Sequence, residues 1–351
     1  MTPVHARRLA AQLLSGPPAT TAEDVVRRLL AVQGQDPRGA RLAVRSRSVG
    51  LSAADVDAGL TSRRSLLISW LNRGTLHLVT PEDYWWLHPL TTPQLMTGNA
   101  RRLAQEGVSP AQAERGVEVV VVAVSGGPRT RAELRAALDA AGVPTAGQAL
   151  VHVLMLATLR GHVVRGPMRN GDHAYVGVRD WLGDPPELSD RDELLARLAR
   201  RYLVGHGPAD ARDLARWAGI TLGDARRGLA GLGDEVVPSG DGLVDLAGRG
   251  PVSGKPPARL LGSYDPVLLG WVSREDVVGD HHHVVTSNGL FRPVGFGDGR
   301  VVATWGLADG VLTVQALEPI RPAVLKVLRA DARDVLRFLG LPDRAAVVRS
   351  D

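Results

Sequence analysis

Apolar residues in the first part of the chain recur every three or four positions, which is the spacing of an amphipathic helix. Three segments show this spacing, and Thr2, Thr21 and Ser52 lie at their starts as N-cap residues. We therefore predict helices over residues 3–14, 21–32 and 52–60.

The pattern changes from helix to strand after residue 65. Two short apolar runs, 66–71 and 76–79, are separated by the sequence Asn-Arg-Gly-Thr. Such a break between apolar runs predicts an antiparallel strand pair or wing. Pro81 then begins a further predicted helix with the sequence PEDYWWL.

One order of elements occurs twice in the middle of the chain. Residues 111–181 show three helical segments followed by two strand-like runs, and the second helix starts with a capping box from Thr130 to Glu133. Residues 191–247 repeat this order. Three helices and a hairpin are typical of a winged helix. Two unrelated helical modules would give the same pattern.

The last hundred residues have a different character. A Gly/Pro-rich segment, 248–257, marks a boundary, and short apolar runs then alternate with turns. These runs predict a small antiparallel sheet or barrel, and the pattern of residues 322–339 predicts a closing amphipathic helix. The predicted fold class is α+β, with tandem winged-helix domains and a small C-terminal antiparallel β-barrel.

Composition excludes several classes of protein. Of the 351 residues, 44% are hydrophobic and 23% are charged, which is typical of a folded chain rather than a disordered one. The absence of cysteine excludes disulfides, thiolate nucleophiles and zinc-thiolate sites. No apolar run approaches the roughly 18 residues of a membrane span, and the first residues do not resemble a signal peptide. We expect a cytoplasmic protein that does not bind membranes.

The basic residues are almost all arginine, because Lys255 and Lys326 are the only lysines. Residues 1–180 carry a net charge of +7, and residues 181–351 carry −2. A polyanion is therefore expected to bind the first half of the chain. The forked donors of arginine bind phosphate, which would explain the preference for arginine over lysine. A GC-rich coding sequence would produce the same preference.

Two glutamines at spacing i, i+2 stand out in the segment 31–47. In an extended loop Gln33 and Gln35 would point to one side, where their amides can jointly hold a water molecule or a sugar oxygen. Asp36 follows directly as a nearby negative charge. The alternative is that both glutamines are ordinary solvated surface residues.

Further candidates are basic. Arg38, Arg41 and Arg45 would share one face of a helix, either as phosphate contacts or as a solvated surface.

Arg73 and His77 flank the predicted turn between the two strands, where a neutral histidine can position water or contact phosphate. The alternative is a structural histidine.

His281, His282 and His283 cannot all reach one metal ion as neighbours in an extended segment, so a polar loop that touches DNA is favoured over a metal site. No P-loop, dinucleotide fingerprint, GxSxG or HExxH motif occurs, and we expect no metal and no cofactor.

These motifs together resemble the AlkZ-like family of bacterial winged-helix DNA glycosylases, which is related to YcaQ. The most specific elements are Gln-x-Gln, Arg-Gly-Thr-x-His and Asn-Gly-x-Phe-Arg-Pro. The matching runs are AVQGQDPRGARLAVRSR (31–47), SWLNRGTLHLVTPEDYWWL (69–87), LLGSYDPVLLGW (260–271) and NGLFRPVGFGDGRVVATW (288–305). The middle position of the glutamine motif is usually apolar in the family and is Gly34 here, which loosens the backbone.

The resemblance implies three winged helices and a β-barrel arranged as a C around double-stranded DNA. The implied domains are 1–95 with the glutamine motif, 96–182, 183–250 and 256–351. It also places catalysis on Gln33 and Gln35, with Asp36 and His77 supporting them. We further expect Arg38, Arg41, Arg45, Arg73 and His281 to His283 to contact DNA.

Family members excise alkylated purines, including bulky N7-guanine adducts and interstrand crosslinks, in repair or self-resistance. An N7-alkylguanine is already cationic and leaves as a neutral base, so the enzyme mainly places water and stabilises an oxocarbenium-like sugar. Because neither lysine is near the glutamines in sequence, we expect no lyase step and therefore a monofunctional glycosylase. We also expect the protein to be a monomer. The alternative is a winged-helix transcription regulator or an inactive relative.

Overall fold

The computed structural model describes residues 1–252, 254–343 and 347–349, and it divides into two compact units. The discontinuous unit consists of Met1–Val56 and Asp192–Asp351, and the inserted unit consists of Asp57–Arg191. The predicted segment 1–95 is therefore divided between the two units. The four-domain organisation stays a prediction.

The chain is rich in short helices. Their bounds are α1 (Pro3–Ala11), α2 (Ala22–Leu29), α3 (Pro37–Arg45), α4 (Ala53–Thr61), α5 (Pro81–Thr91), α6 (Met96–Gln105), α7 (Pro110–Ser125), α8 (Arg131–Ala140), α9 (Ala149–Leu159), α10 (Val178–Leu182), α11 (Arg191–His206), α12 (Ala211–Ala218), α13 (Leu222–Ala230), α14 (Glu275–Val278) and α15 (Pro322–Phe338). No helix of the described residues is long and apolar enough to cross a membrane.

The strands are short as well. They are β1 (Val32–Gln33), β2 (Leu67–Leu71), β3 (Thr75–Val79), β4 (Val163–Arg169), β5 (Asp172–Gly177), β6 (Val236–Pro238), β7 (Val244–Leu246), β8 (Arg259–Leu261), β9 (Val294–Gly297), β10 (Arg300–Ala308), β11 (Val311–Ala316) and β12 (Val347–Arg349).

Local capping explains where the predicted helices begin. The hydroxyls of Thr2 and Thr21 accept hydrogen bonds from backbone amides in the first turns of α1 and α2. Thr130 and Glu133 form the predicted capping box at the start of α8. Each cap satisfies a backbone donor that has no partner inside its helix. The predicted starts of these three helices are confirmed to within a few residues.

The inserted unit is built on an antiparallel hairpin. Strands β2 and β3 pair with Ser69 opposite His77, and β2 also pairs with β4, which pairs with β5. Helix α9 is apolar around its whole circumference and is buried against α7 and the sheet. The predicted strand pair at 66–79 is thus confirmed.

The order of three helices and a hairpin occurs twice, as predicted. Helices α7, α8 and α9 precede β4 and β5, and α11, α12 and α13 precede β6 and β7. The first set belongs to the inserted unit, and the second lies almost wholly in the discontinuous unit. Their identity as winged helices stays a prediction.

The C-terminal sheet is open, so the predicted closed barrel is wrong. Its order is β12, β11, β10, β9, β8, and β12 is parallel to β11 while the other neighbours are antiparallel. Among the described residues the edge strands β8 and β12 do not pair with each other. Helix α15 packs against β8, and the Leu260 amide donates to Asp331 on that helix at 2.6 Å. A helix therefore covers the edge that closure would have paired.

Candidate active site

The glutamine motif lies on the short connection between α2 and α3. Helix α2 ends at Leu29, Leu30 takes a left-handed φ of 67°, and β1 follows at once. Gln33 is 7% exposed, whereas Gln35 is exposed to solvent. The two amides therefore occupy different environments, although they are only two residues apart.

Asp36 caps the helix that follows the glutamines. Its Oδ1 accepts a hydrogen bond from the Arg38 backbone amide at 2.9 Å, and Pro37 fills the first position of α3. A carboxylate at this end of a helix is stabilised by the unpaired backbone donors and by the helix dipole. Asp36 thus fixes the point at which the glutamine loop becomes rigid helix.

Two glycines allow α3 to approach the segment after β8 closely. A Cβ on Gly39 would lie 2.3 Å from the carbonyl oxygen of Ser263, and a Cβ on Gly262 would lie 2.9 Å from the Cα of Gly39. Neither position can carry a side chain without moving the backbone. The runs 31–47 and 260–271, which the sequence singled out separately, are therefore packed against each other.

A fully buried ion pair secures this contact. The Arg47 guanidinium donates to both carboxylate oxygens of Asp265, at 2.7 and 2.9 Å, and both side chains are 0% exposed. Arg47 also donates to Gln12 Oε1 at 3.0 Å and to the Ala43 carbonyl at 3.1 Å. The end of α3 is thus held in place by Gln12, directly after α1, and by the segment after β8.

The predicted arginine face of α3 is mostly buried. Arg38 is exposed, but Arg41 is 9% exposed and donates to the Pro37 carbonyl at 2.8 Å. Arg45 is 2% exposed and binds Asp331 at 2.8 Å and Asp334 at 2.9 Å. This placement does not fit the prediction that Arg45 contacts phosphate, because two carboxylates of α15 already hold its guanidinium.

In the inserted unit, Arg73 and His77 lie at the predicted turn. Arg73 takes a left-handed φ of 48° between β2 and β3. His77 is 3% exposed, and its Nδ1–H donates to the Thr75 carbonyl at 3.0 Å, which leaves Nε2 without a proton. Burial, together with the Arg73 charge, lowers the pKa of His77 to about 3. The ring is therefore neutral at physiological pH.

The sequence analysis missed other buried polar groups on this hairpin. Ser69 and Asn72 are 0% exposed, and neither the Ser69 hydroxyl nor the Asn72 amide has a hydrogen-bond partner among the described residues. The buried Thr75 hydroxyl also has no hydrogen-bond partner among the described residues. Buried polar groups of this kind are commonly satisfied by ordered water. For Asn72 and Thr75 the signal is the run of polar residues between two apolar strands, whereas Ser69 lies inside β2.

The buried His77 should make stability pH-dependent. Its pKa is about 3 when folded and close to 6.5 when unfolded, so its contribution is complete above about pH 6.5 and is lost as the pH falls towards 3. We expect His77→Asn to remove a dependence of about 1.4 kcal/mol per pH unit between roughly pH 6 and 4. Urea unfolding across this range measures it. His283→Asn, at an exposed ring, is the control, and equal pH slopes in wild type and His77→Asn would contradict the prediction.

The histidine run lies in a short turn of the discontinuous unit. His281 Nε2 lies 3.2 Å from a carboxylate oxygen of Glu318, while His282 and His283 are exposed. In the part of the chain that the structure describes, no group of three or more His, Asp or Glu side chains could hold a metal ion. Two of the three rings are thus accessible to a polar partner.

Comparisons with known proteins agree with this architecture over almost the whole chain. The family model described as "DNA glycosylase AlkZ-like" matches residues 26–338. The structure of Streptomyces sahachiroi DNA glycosylase AlkZ superimposes with a TM-score of 0.79 at 26% identity, over 99% of this chain and 98% of that one. A protein described as "Interstrand DNA cross-link repair glycosylase", from the same organism, is 28% identical over 96% of each chain.

The fold and these matches define the protein as a DNA glycosylase, a hydrolase that removes bases from DNA. The chain belongs to the AlkZ-like DNA glycosylase family. The family resemblance drawn from the sequence is therefore confirmed, as is the assignment to DNA repair. The alternative of a transcription regulator has no support in these comparisons.

Proposed function

We propose that this DNA glycosylase hydrolyses the N-glycosidic bond of cationic N7-alkylated purines in double-stranded DNA. The observation that carries the proposal is the neutral His77. Among the residues expected at the site, it is the one whose ordinary pKa suits a general acid near neutral pH, and burial removes that capacity. A base that is already cationic needs no such acid.

Gln33 and Gln35 then act on water and the sugar. As the C1′–N9 bond breaks, its electrons neutralise the cationic purine, and an oxocarbenium-like sugar remains. A water molecule that donates a hydrogen bond to an amide carbonyl attacks C1′ with its oxygen, and the proton it loses passes to solvent. Placement of the water by the two amides is the main contribution of the enzyme, since it removes the entropic cost of bringing the reactants together.

A lyase step is not part of the proposal. Such a step needs an amine that forms a Schiff base at C1′. Both lysines, Lys255 and Lys326, are exposed and distant in sequence from the glutamines. A monofunctional glycosylase should yield no borohydride-trapped adduct between protein and DNA.

Single-turnover excision tests the substrate class. Duplexes carry N7-methylguanine, a bulky N7-guanine adduct, or a neutral damaged base such as hypoxanthine, and the released base is measured. We expect release from both cationic lesions to exceed release from the neutral base by about 100-fold, because no general acid activates a neutral leaving group. Equal rates on cationic and neutral lesions would contradict the proposal. Release from the bulky adduct would extend the activity to natural-product lesions. Base release from crosslinked duplexes would extend it to the unhooking of interstrand crosslinks.

We propose that Arg38, Arg41 and Arg73 contact DNA phosphates. His281, His282 and His283 are proposed as further DNA contacts, and the protein is proposed to act as a monomer. Exposed Arg38 gives the clearest test. We expect Arg38→Gln to weaken duplex binding and to lower the salt slope of log K by about one, without changing the melting temperature. Arg329→Gln, at an exposed arginine of α15, is the matched control. An unchanged salt slope for Arg38→Gln would remove this contact.

A further inference from the structure

Two half-exposed aromatic rings lie beside the glutamine motif and have no part in the chemistry described above. Tyr264 and Phe291 come from the runs LLGSYDPVLLGW and NGLFRP, and their ring centroids are 5.6 Å apart with the planes tilted by 43°. Both belong to the discontinuous unit, as do Gln33 and Gln35. Contiguous apolar surface that stays accessible to solvent often marks a binding site.

Tyr264 is close to the start of α3. The carbonyl of the preceding residue, Ser263, packs against Gly39, the third residue of α3. Burial of the phenol, together with the negative charge of Asp36, raises the pKa of Tyr264. The ring therefore lies near the residue that directly follows the glutamine motif.

The backbone of Tyr264 is strained. Its φ is +56°, a left-handed conformation that a bulky aromatic residue rarely adopts. The chain is held on both sides of it, because Gly262 is packed against Gly39 and Asp265 is locked to Arg47. Strain that neighbouring contacts enforce in this way is concentrated at functional sites.

Phe291 is held equally firmly. Its backbone bridges to Val285, and the next amide, of Arg292, donates to the Val284 carbonyl at 2.9 Å. The Arg274 guanidinium lies 5.1 Å from the ring centroid. The adjacent Leu290 is 52% exposed, so the apolar surface extends beyond the two rings.

We propose that Tyr264 and Phe291 form an aromatic platform against which a planar ring of the lesion stacks, next to the glutamine motif. This inference rests on the proposed function. Tyrosine and phenylalanine rings stack on bases irrespective of sequence, and the negative face of the Tyr264 ring favours a cationic purine. Either the alkylated purine or an aromatic part of a bulky adduct supplies the planar ring.

Variants of Tyr264 separate stacking from strain. Tyr264→Asn suits the left-handed backbone but lacks the ring, so we expect an unchanged or higher melting temperature and a single-turnover rate about 10-fold lower. Tyr264→Phe keeps the ring and should keep a rate within about threefold of wild type. Phe291→Leu should also slow excision. Trp181→Leu, which removes a half-exposed ring beside Arg64 in the inserted unit, is the matched control.

The two lesions identify what stacks. Equal slowing on N7-methylguanine and on a bulky aromatic N7-guanine adduct assigns the platform to the purine, and slowing on the bulky adduct alone assigns it to the adduct. Wild-type rates for Tyr264→Asn and Phe291→Leu on both lesions would overturn the platform. A full loss of excision in Tyr264→Phe would also overturn it, because the hydroxyl and not the ring would then be responsible for the rate. If wild type binds DNA but releases neither base, the proposed function itself fails and the platform with it.

Discussion

Gln35→Ala is expected to lower the single-turnover rate of base release by about 100-fold while DNA affinity and melting temperature stay unchanged. Gln35 is exposed, so its side chain contributes little to folding. Loss of one polar group at a reaction centre typically lowers the rate about 10² to 10³-fold. Release of free N7-methylguanine under enzyme excess measures the effect.

Gln33 needs a different substitution because it is 7% exposed. Gln33→Leu keeps most of the side-chain volume, and we expect a loss of rate similar to that of Gln35→Ala. If both amides act on one water, the double variant should be little slower than either single variant, since groups that act as a unit are not additive. Gln105→Ala, at an exposed glutamine on α6, is the control. Near-wild-type rates in both single variants would remove catalysis from the pair.

Asp265→Ala is expected to lower the free energy of unfolding by about 3–5 kcal/mol. The substitution leaves the Arg47 guanidinium buried at 0% exposure without its counter-charge. The Asp265 side chain also accepts the Val267 amide at 3.0 Å, so the following turn loses its cap. Urea unfolding monitored by tryptophan fluorescence gives the value.

The double variant Arg47→Met, Asp265→Leu is the matched control. A buried ion pair is costly to break but contributes little net stability over apolar residues of similar size. We therefore expect the double variant to be markedly more stable than Asp265→Ala. If the two were equally unstable, the loss would come from packing and not from an unpaired charge.

Much of the fold was predictable because the relevant signals are local. Thr2, Thr21 and the Thr130–Glu133 capping box mark helix starts within a few residues, and the polar break at 72–75 marks the turn between two apolar strands. The glutamine motif was found from its spacing and from its resemblance to a family. These features need no knowledge of distant residues.

What could not be predicted depends on partners far away in the chain. Arg45 was predicted to lie at the surface because arginine is rarely buried unless paired, and its partner Asp331 lies 286 residues later. The buried pair of Arg47 with Asp265, 218 residues later, gave no local signal either. The open sheet has the same cause, since a distant helix covers β8. Segment charges likewise do not reveal which charges meet in the fold: a cleft of about 1030 Å³ brings Arg200, Arg201 and Arg249, from a net acidic segment, together with Arg27 and Arg28.

The discontinuous unit has a consequence for synthesis on the ribosome. Asp265 emerges 218 residues after Arg47, which takes about 10–40 s at bacterial elongation rates of roughly 5–20 residues per second. Until then α3, which follows the glutamine loop, lacks both the ion pair between Arg47 and Asp265 and the contact of Ser263 with Gly39. The whole of the inserted unit is made within this interval, so it can fold first. A nascent chain should therefore acquire the ability to cut glycosidic bonds only near the end of translation.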